Sequence, residues 1–276
     1  MSARKSLALL KVEMEKVWSR PILEITIALM IIMAIMYTGP LTGIFPLLEF
    51  DAALNSALIG SVSSTANSLM FPCVIMCAVL MTLSFARDYE QGMMQSILSV
   101  PVSRGVYFVV KFFAVVLPLV LLSWGVTAFL VGLTFYSSPW LVLQSSFFVL
   151  PFSFLTLMFC GGISVLIALI IKRTIPSVLT AMLANFFLWF LTNLDTYQLL
   201  EEGVSYANFL CLTPYKGALL FLDRSLGISS RYANRFPDAL EFSLSGEWFG
   251  ILMVFYAFVL VVPLFVYFSR RFEICE

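Results

Sequence analysis

The chain has 276 residues, of which 61% are hydrophobic and only 12% charged, against roughly 25% charged in a soluble domain, and its mean hydropathy is +0.99. That composition excludes a water-soluble fold, and the balance of 16 basic against 16 acidic residues excludes the polycationic character expected of a nucleic-acid binder. Histidine is absent, which removes the commonest general base and metal ligand, and the five cysteines, Cys73, Cys77, Cys160, Cys211 and Cys275, imply no disulfide framework.

The first element is an amphipathic helix over residues 4–20. Helical spacing gathers Leu7, Leu10, Met14, Val17 and Trp18 within about 100° of arc, with Lys5, Lys16 and Arg20 opposite. Such a helix lies in the membrane interface, its basic residues facing anionic cytoplasmic lipid or a partner, with Arg4, Lys5, Lys11, Glu13 and Glu15 available for polar pairs. An apolar stretch over 21–38 follows, too long for a cleaved signal and preceded by a charged segment. Residues 41–62 are interrupted by Pro46, Glu49, Asp51 and Asn55 and read as a non-spanning connection with some helix. Five more apolar stretches, at 67–86, 112–135, 147–171, 175–194 and 247–269, approach the length of about 20 residues that crosses a bilayer core. The expected fold is all-α, one membrane domain over 1–276 with six transmembrane helices.

Six spans put both termini on one side of the membrane. That side would hold Arg4, Lys5, Lys11, Lys16, Arg20, Arg87, Arg104, Lys111, Lys172, Arg173, Arg270 and Arg271; the other would hold only Lys216, Arg224, Arg231 and Arg235. Twelve against four predicts cytoplasmic termini in a cell membrane, plasma or inner. A long external loop, 195–246, would then precede the last span and pack as short helices.

Between spans two and three, residues 87–104 read as a short helix outside the bilayer. Asp88 and Glu90 suit a first helical turn, where the macrodipole favours acidic groups. Met93, Met94, Ile97 and Leu98 make an apolar surface, Pro101 stops the helix, Ser103 caps the next one, and Lys111 marks where that helix enters the bilayer. An apolar helix facing the cytoplasm calls for a protein partner to cover it.

This run resembles the cytoplasmic signature of type-2 ABC transporter permeases. That pattern has an acidic pair, a glycine, an apolar stretch, then proline, an aliphatic residue, serine and arginine, and a lysine as the next span begins. Here it stands as Asp88, Glu90, Gly92, Ile97, Leu98, Pro101, Val102, Ser103, Arg104 and Lys111, with Met93 where the family commonly has threonine. The resemblance extends to six spans, an amphipathic N-terminal helix, a very short loop after span four and a long external connection before span six. It implies that Arg87, Asp88, Glu90, Gly92, Met93, Met94, Ile97, Leu98, Pro101, Ser103 and Arg104 belong to a segment seated on a separate cytoplasmic ABC ATPase. It implies also a second permease subunit, identical or not, and a transport cycle driven by ATP and magnesium held in the ATPase. The sequence itself lacks G-x-x-x-x-G-K-[ST], the phosphate-cradling loop. Export is the direction the resemblance favours.

The cores of spans two to six contain no Asp, Glu, Lys or Arg, and Glu24 stands near the start of span one. Ion-coupled carriers use such groups, so energy delivered from outside and an amphipathic or apolar cargo fit better. Cys73 and Cys77, with Met70, Met76 and Met81, offer soft ligands for copper(I), although Cys and Met are ordinary packing residues. Asn185, Asn193 and the small residues Gly161, Gly162, Ser164 and Ala168 suit helix packing. Pro118, Pro151 and Pro263 suit kinks. Tyr197, Tyr206, Phe209 and Tyr215 suit an interfacial belt. A membrane scaffold that docks a cytoplasmic partner without transporting anything is the alternative, and an intramembrane enzyme would need a base that its Ser164 or cysteines lack.

Overall fold

A computed structural model describes residues 3–18, 22–38, 51–90, 103–194, 199, 207–228 and 243–270. Among them the elements are helices throughout: α1 (Ala3–Val17), α2 (Ile22–Thr38), α3 (Asp51–Glu90), α4 (Arg104–Thr134), α5 (Pro139–Ser146), α6 (Val149–Ile171), α7 (Thr174–Phe190), α8 (Ala207–Leu210), α9 (Pro214–Ser225) and α10 (Gly246–Arg270), with a 3₁₀ turn at Leu191–Asn193. Each apolar stretch expected as a span falls on a helix. Four helical stretches are long and apolar enough to cross a membrane, Asn55–Glu90, Arg104–Thr134, Pro139–Ile171 and Gly246–Ser269; Ile22–Met33 and Thr174–Phe190 are shorter apolar helices.

Helix α3 is the axis of the bundle, touching α2, α4, α6 and α7, while α10 closes the far side against α6, α9 and α4. Its 40 residues extend about 60 Å, twice a bilayer core of roughly 30 Å. Of the connection with some helix expected over 41–62, residues 51–62 are helix continuous with the predicted span; residues 41–50 lie outside the described residues. Asn55 and Ser56 do not interrupt it because they sit exposed on the helix surface while Leu58 and Val62 are wholly buried. Of the three prolines expected to kink helices, Pro118 and Pro263 are internal to theirs, but Pro151 is the third residue of α6, in a first turn where its missing N–H costs little.

The core joins α3, α4 and α6 around Leu69, Met81, Phe112, Leu119, Phe152 and Leu157. Close approach depends on the paired glycines of α6. A Cβ at Gly161 would stand 2.9 Å from Met81 Cε and Phe112 Cζ, and one at Gly162 would stand 3.0 Å from Leu260 Cβ. Cys77 donates weakly to the Leu157 carbonyl and Cys160 to that of Val74, so the thiols tie α3 and α6 to each other. No cluster of three or more His, Cys, Asp or Glu suited to a metal occurs among the described residues. Deep in the bundle, Tyr215 Oη donates to Asn185 Oδ1 at 2.6 Å and Asn185 Nδ2 to Ser164 Oγ at 3.2 Å, linking α9, α7 and α6.

The outer surface is the inverse of a soluble protein's. Phe129, Leu133, Leu183, Phe187, Phe255 and Phe258 are all exposed, an apolar exterior suited to hydrocarbon or another apolar surface.

Candidate functional site

Polar chemistry concentrates where α1 meets the C-terminal end of α3 and the N-terminal end of α4. The last turn of α3 brings Asp88 inward. In the first turns of α4, Tyr107 and Lys111 are four residues apart and so share one face. Tyr107 Oη donates to Asp88 Oδ2 at 2.6 Å, and Lys111 Nζ donates to the same oxygen and to the Ser84 carbonyl. Lys16 of α1 approaches Asp88 Oδ1 at 3.2 Å. The Asp88 and Lys111 side chains are 1% and 0% exposed, whereas Lys16 keeps 41% of its side-chain surface in solvent.

Burial of this kind costs far more than a surface pair, and the surroundings supply the compensation. Every Asp88 oxygen is paired, and Lys111 Nζ also sits 5.2 Å from the Phe85 ring centroid and 5.1 Å from that of Tyr107, within cation–π range. Phe85, Phe108 and Phe268 pack edge-on or tilted beside them, at centroid distances of 5.5 to 6.1 Å, and shield the pair from water. Trp18 Nε1 donates to the Ala114 carbonyl at 2.9 Å, fixing α1 to α4. Glu13 is buried beside this cluster, and its Oε2 has no hydrogen-bond partner among the described residues.

Glu90, the last residue of α3, reaches a different neighbour. Thr174 donates its backbone N–H at 3.1 Å, and its hydroxyl, to Glu90 Oε2. No side chain of α7 itself caps that helix, so a carboxylate from α3 takes one of its orphan N–H groups at the positive end of the dipole. The turn before it is made by Lys172, whose φ of 57° is left-handed and whose N–H returns to the Ala168 carbonyl. Lys172 Nζ lies 6.0 Å from the Tyr89 ring. Three consecutive residues, Asp88, Tyr89 and Glu90, thus bond α3 to α1, α4 and the α6–α7 corner.

These contacts correct the sequence reading in three places. Asp88 and Glu90 occupy the last turn of α3, not the first turn of a separate helix, because α3 continues unbroken past Arg87. Lys111 does not mark an interface by reaching for water; it is buried on Asp88. Lys16, expected opposite the apolar stripe, turns toward the bundle for the same carboxylate, while Leu7 of that stripe is exposed and Val17 is buried. Ser103 does occupy the N-cap position of α4, its carbonyl accepting from the Tyr107 N–H, but its hydroxyl makes no capping bond. Arg87 is exposed on α3 and Arg104 opens α4. Gly92, Met93, Met94, Ile97, Leu98 and Pro101 lie outside the described residues, as do 195–198, 200–206 and 229–242 of the expected external loop. Sequence reasoning missed Tyr107, Ser84 and Thr174; the available signal was a lysine inside an apolar helix, which demands a counter-ion on a neighbour.

Compared with known families, residues 9–192 match the model described as ABC-2 family transporter protein. No curated protein matches the chain.

Proposed function

From the premise that this chain belongs to the ABC-2 transporter family, as the multi-pass membrane permease of an ABC transporter and not a catalytic subunit, we propose that it exports an amphipathic or apolar cargo when a separate ATPase pushes on the segment after Glu90. The family associates with ABC ATPases in general. The finer assignment is that residues 87–104 form the contact, with Gly92, Met93, Met94, Ile97 and Leu98 against the ATPase and Arg87 and Arg104 at its edges. Magnesium and ATP then act in the partner, all six apolar helices cross the membrane, both termini are cytoplasmic, and two permeases, identical or not, enclose the path.

The observation that carries this reading is the bonding of the last turn of α3. A displacement delivered just beyond Glu90 acts on a helix about 60 Å long whose end is fastened to α1, α4 and α7 together. A push there moves four helices as one body instead of bending a loop. The distribution of charge supports an external energy source as well: among the described residues the buried ionisable acids and bases are Glu13, Asp88 and Lys111, all at this one end. A proton- or ion-coupled carrier would carry such groups along its path.

The test is co-purification in nanodiscs with an ATPase assay. Recovery of an ATPase at equal stoichiometry with nucleotide-dependent transport is the expected result. Glu90→Arg, which removes the acceptor for Thr174 and reverses the charge, should leave ATP hydrolysis running while transport falls. A chain that purifies alone and shows no nucleotide-dependent behaviour would favour the scaffold reading.

A further inference from the structure

Beside the buried ion pair, α1, α2 and the final turns of α3 enclose a cleft of about 80 Å³. One water needs roughly 10–15 Å³ on the same measure, so a phosphate-sized group fits. Val17, Ile22, Leu80 and Leu83 supply apolar walls, and Lys16, Ser84, Arg87 and Asp88 supply the polar lining.

The polar groups are unevenly satisfied. Both Asp88 oxygens already accept hydrogen bonds, so this carboxylate has little left for a ligand. Ser84 Oγ, by contrast, is shielded from solvent and has no hydrogen-bond partner among the described residues. Arg87 is exposed and forms no ion pair among the described residues, although a guanidinium is the side chain best shaped for phosphate oxygens. Among the described residues the charged groups of the region are Lys16, Arg87 and Lys111 against Asp88 and Glu13, which leaves one net positive charge.

We propose that this cleft binds the phosphate of an anionic phospholipid, supplied by the leaflet in which α1 lies. Arg87 and Lys16 hold the phosphate oxygens, Ser84 donates its unused hydrogen bond, and the first acyl carbons run along Val17, Ile22 and Leu83. The apolar walls decide the source: free phosphate uses only the cationic rim, whereas a lipid uses both. Leu7 and Val12 of α1 remain exposed, as on a helix that lies at a membrane surface. An anionic leaflet concentrates the ligand there.

The experiment uses the full chain, delipidated in mild detergent and titrated separately with dioleoylphosphatidylglycerol, dioleoylphosphatidylcholine and inorganic phosphate. Bound lipid is counted by native mass spectrometry, and the thermal midpoint is recorded in parallel. One phosphatidylglycerol should be retained in preference to phosphatidylcholine, with a raised midpoint. Arg87→Gln should weaken that binding about tenfold, the loss of one charge-assisted contact; its side chain is exposed, so the fold does not depend on it. Ser84→Ala should weaken binding to a smaller extent. Equal retention of the two lipids would overturn the proposal, as would lipid binding unchanged in Arg87→Gln, or inorganic phosphate giving the whole effect without lipid. No nucleotide enters the measurement, so a negative result leaves the coupling reading standing, and failed coupling leaves this site standing.

Discussion

Replacing Asp88 by asparagine keeps the shape of the side chain but removes its charge, and Lys111 is then a buried ammonium without a counter-ion. Breaking one side of a buried pair costs about 3–5 kcal/mol. For a chain of this size, where 1 kcal/mol corresponds to about 2–4 °C, the thermal midpoint of the purified protein should fall by about 6–20 °C. Removing the whole arrangement is a different perturbation. The triple variant Asp88→Leu, Tyr107→Phe, Lys111→Met removes the buried carboxylate, hydroxyl and ammonium together, so neither charge is left facing an empty partner, and the aromatic surroundings of Phe85, Phe108 and Phe268 accept an apolar replacement. It should recover most of the loss. Lys16→Ala should cost under about 1 kcal/mol, since that lysine is partly exposed and its contribution is screened. Fluorescence-monitored unfolding in one detergent compares all four proteins. A single variant Asp88→Asn within about 1 kcal/mol of the native protein, or a triple variant no more stable than the single one, would refute the account of a costly, mutually dependent pair.

Trp18→Phe retains the packing of the ring and deletes the bond to the Ala114 carbonyl, so it should cost about 0.5–1.5 kcal/mol and make α1 the first site of limited proteolysis. Gly161→Leu forces a branched side chain between Met81 and Phe112, and should destabilise by about 1–3 kcal/mol or abolish recovery of folded protein, read by gel filtration and thermal midpoint. Asn185→Leu orphans Tyr215 Oη at about 1–3 kcal/mol, and the added change Tyr215→Phe should return part of that stability in the same unfolding assay.

The helices were legible because apolar runs of span length have few other solutions, and the basic residues clustered at chain positions that six spans bring to one side. Less was legible at the site. Nothing in the run from Arg87 to Arg104 separates an acidic pair that opens a new helix from one that ends an old helix, since the residues serve either geometry. The decision came from Tyr107 and Lys111, 19 and 23 positions after Asp88, and a partner across a helix pair leaves no local spacing to read. The half-buried face of α1 was misjudged for the same reason: Lys16 belongs to the polar side by periodicity, but a buried carboxylate outweighs the preference for water. Asn185, read as a packing residue, does bond its neighbours, and its choice of Ser164 and Tyr215 depends on three helices meeting.

The corner at Lys172 bears on how α6 and α7 pair. Only Lys172 and Arg173 separate α6 from α7, and the left-handed backbone at the first of them folds the two helices directly back on each other. Helix α7 has 17 residues, about 26 Å, and buries an asparagine that would be costly to present to lipid alone. Its nearest polar match, Ser164, stands on α6. The pair is therefore built as one hairpin, in which the second helix finds its hydrogen-bond partner on the helix just before it in the chain, and lengthening that corner should weaken the pairing of α6 with α7 before it disturbs the rest of the bundle.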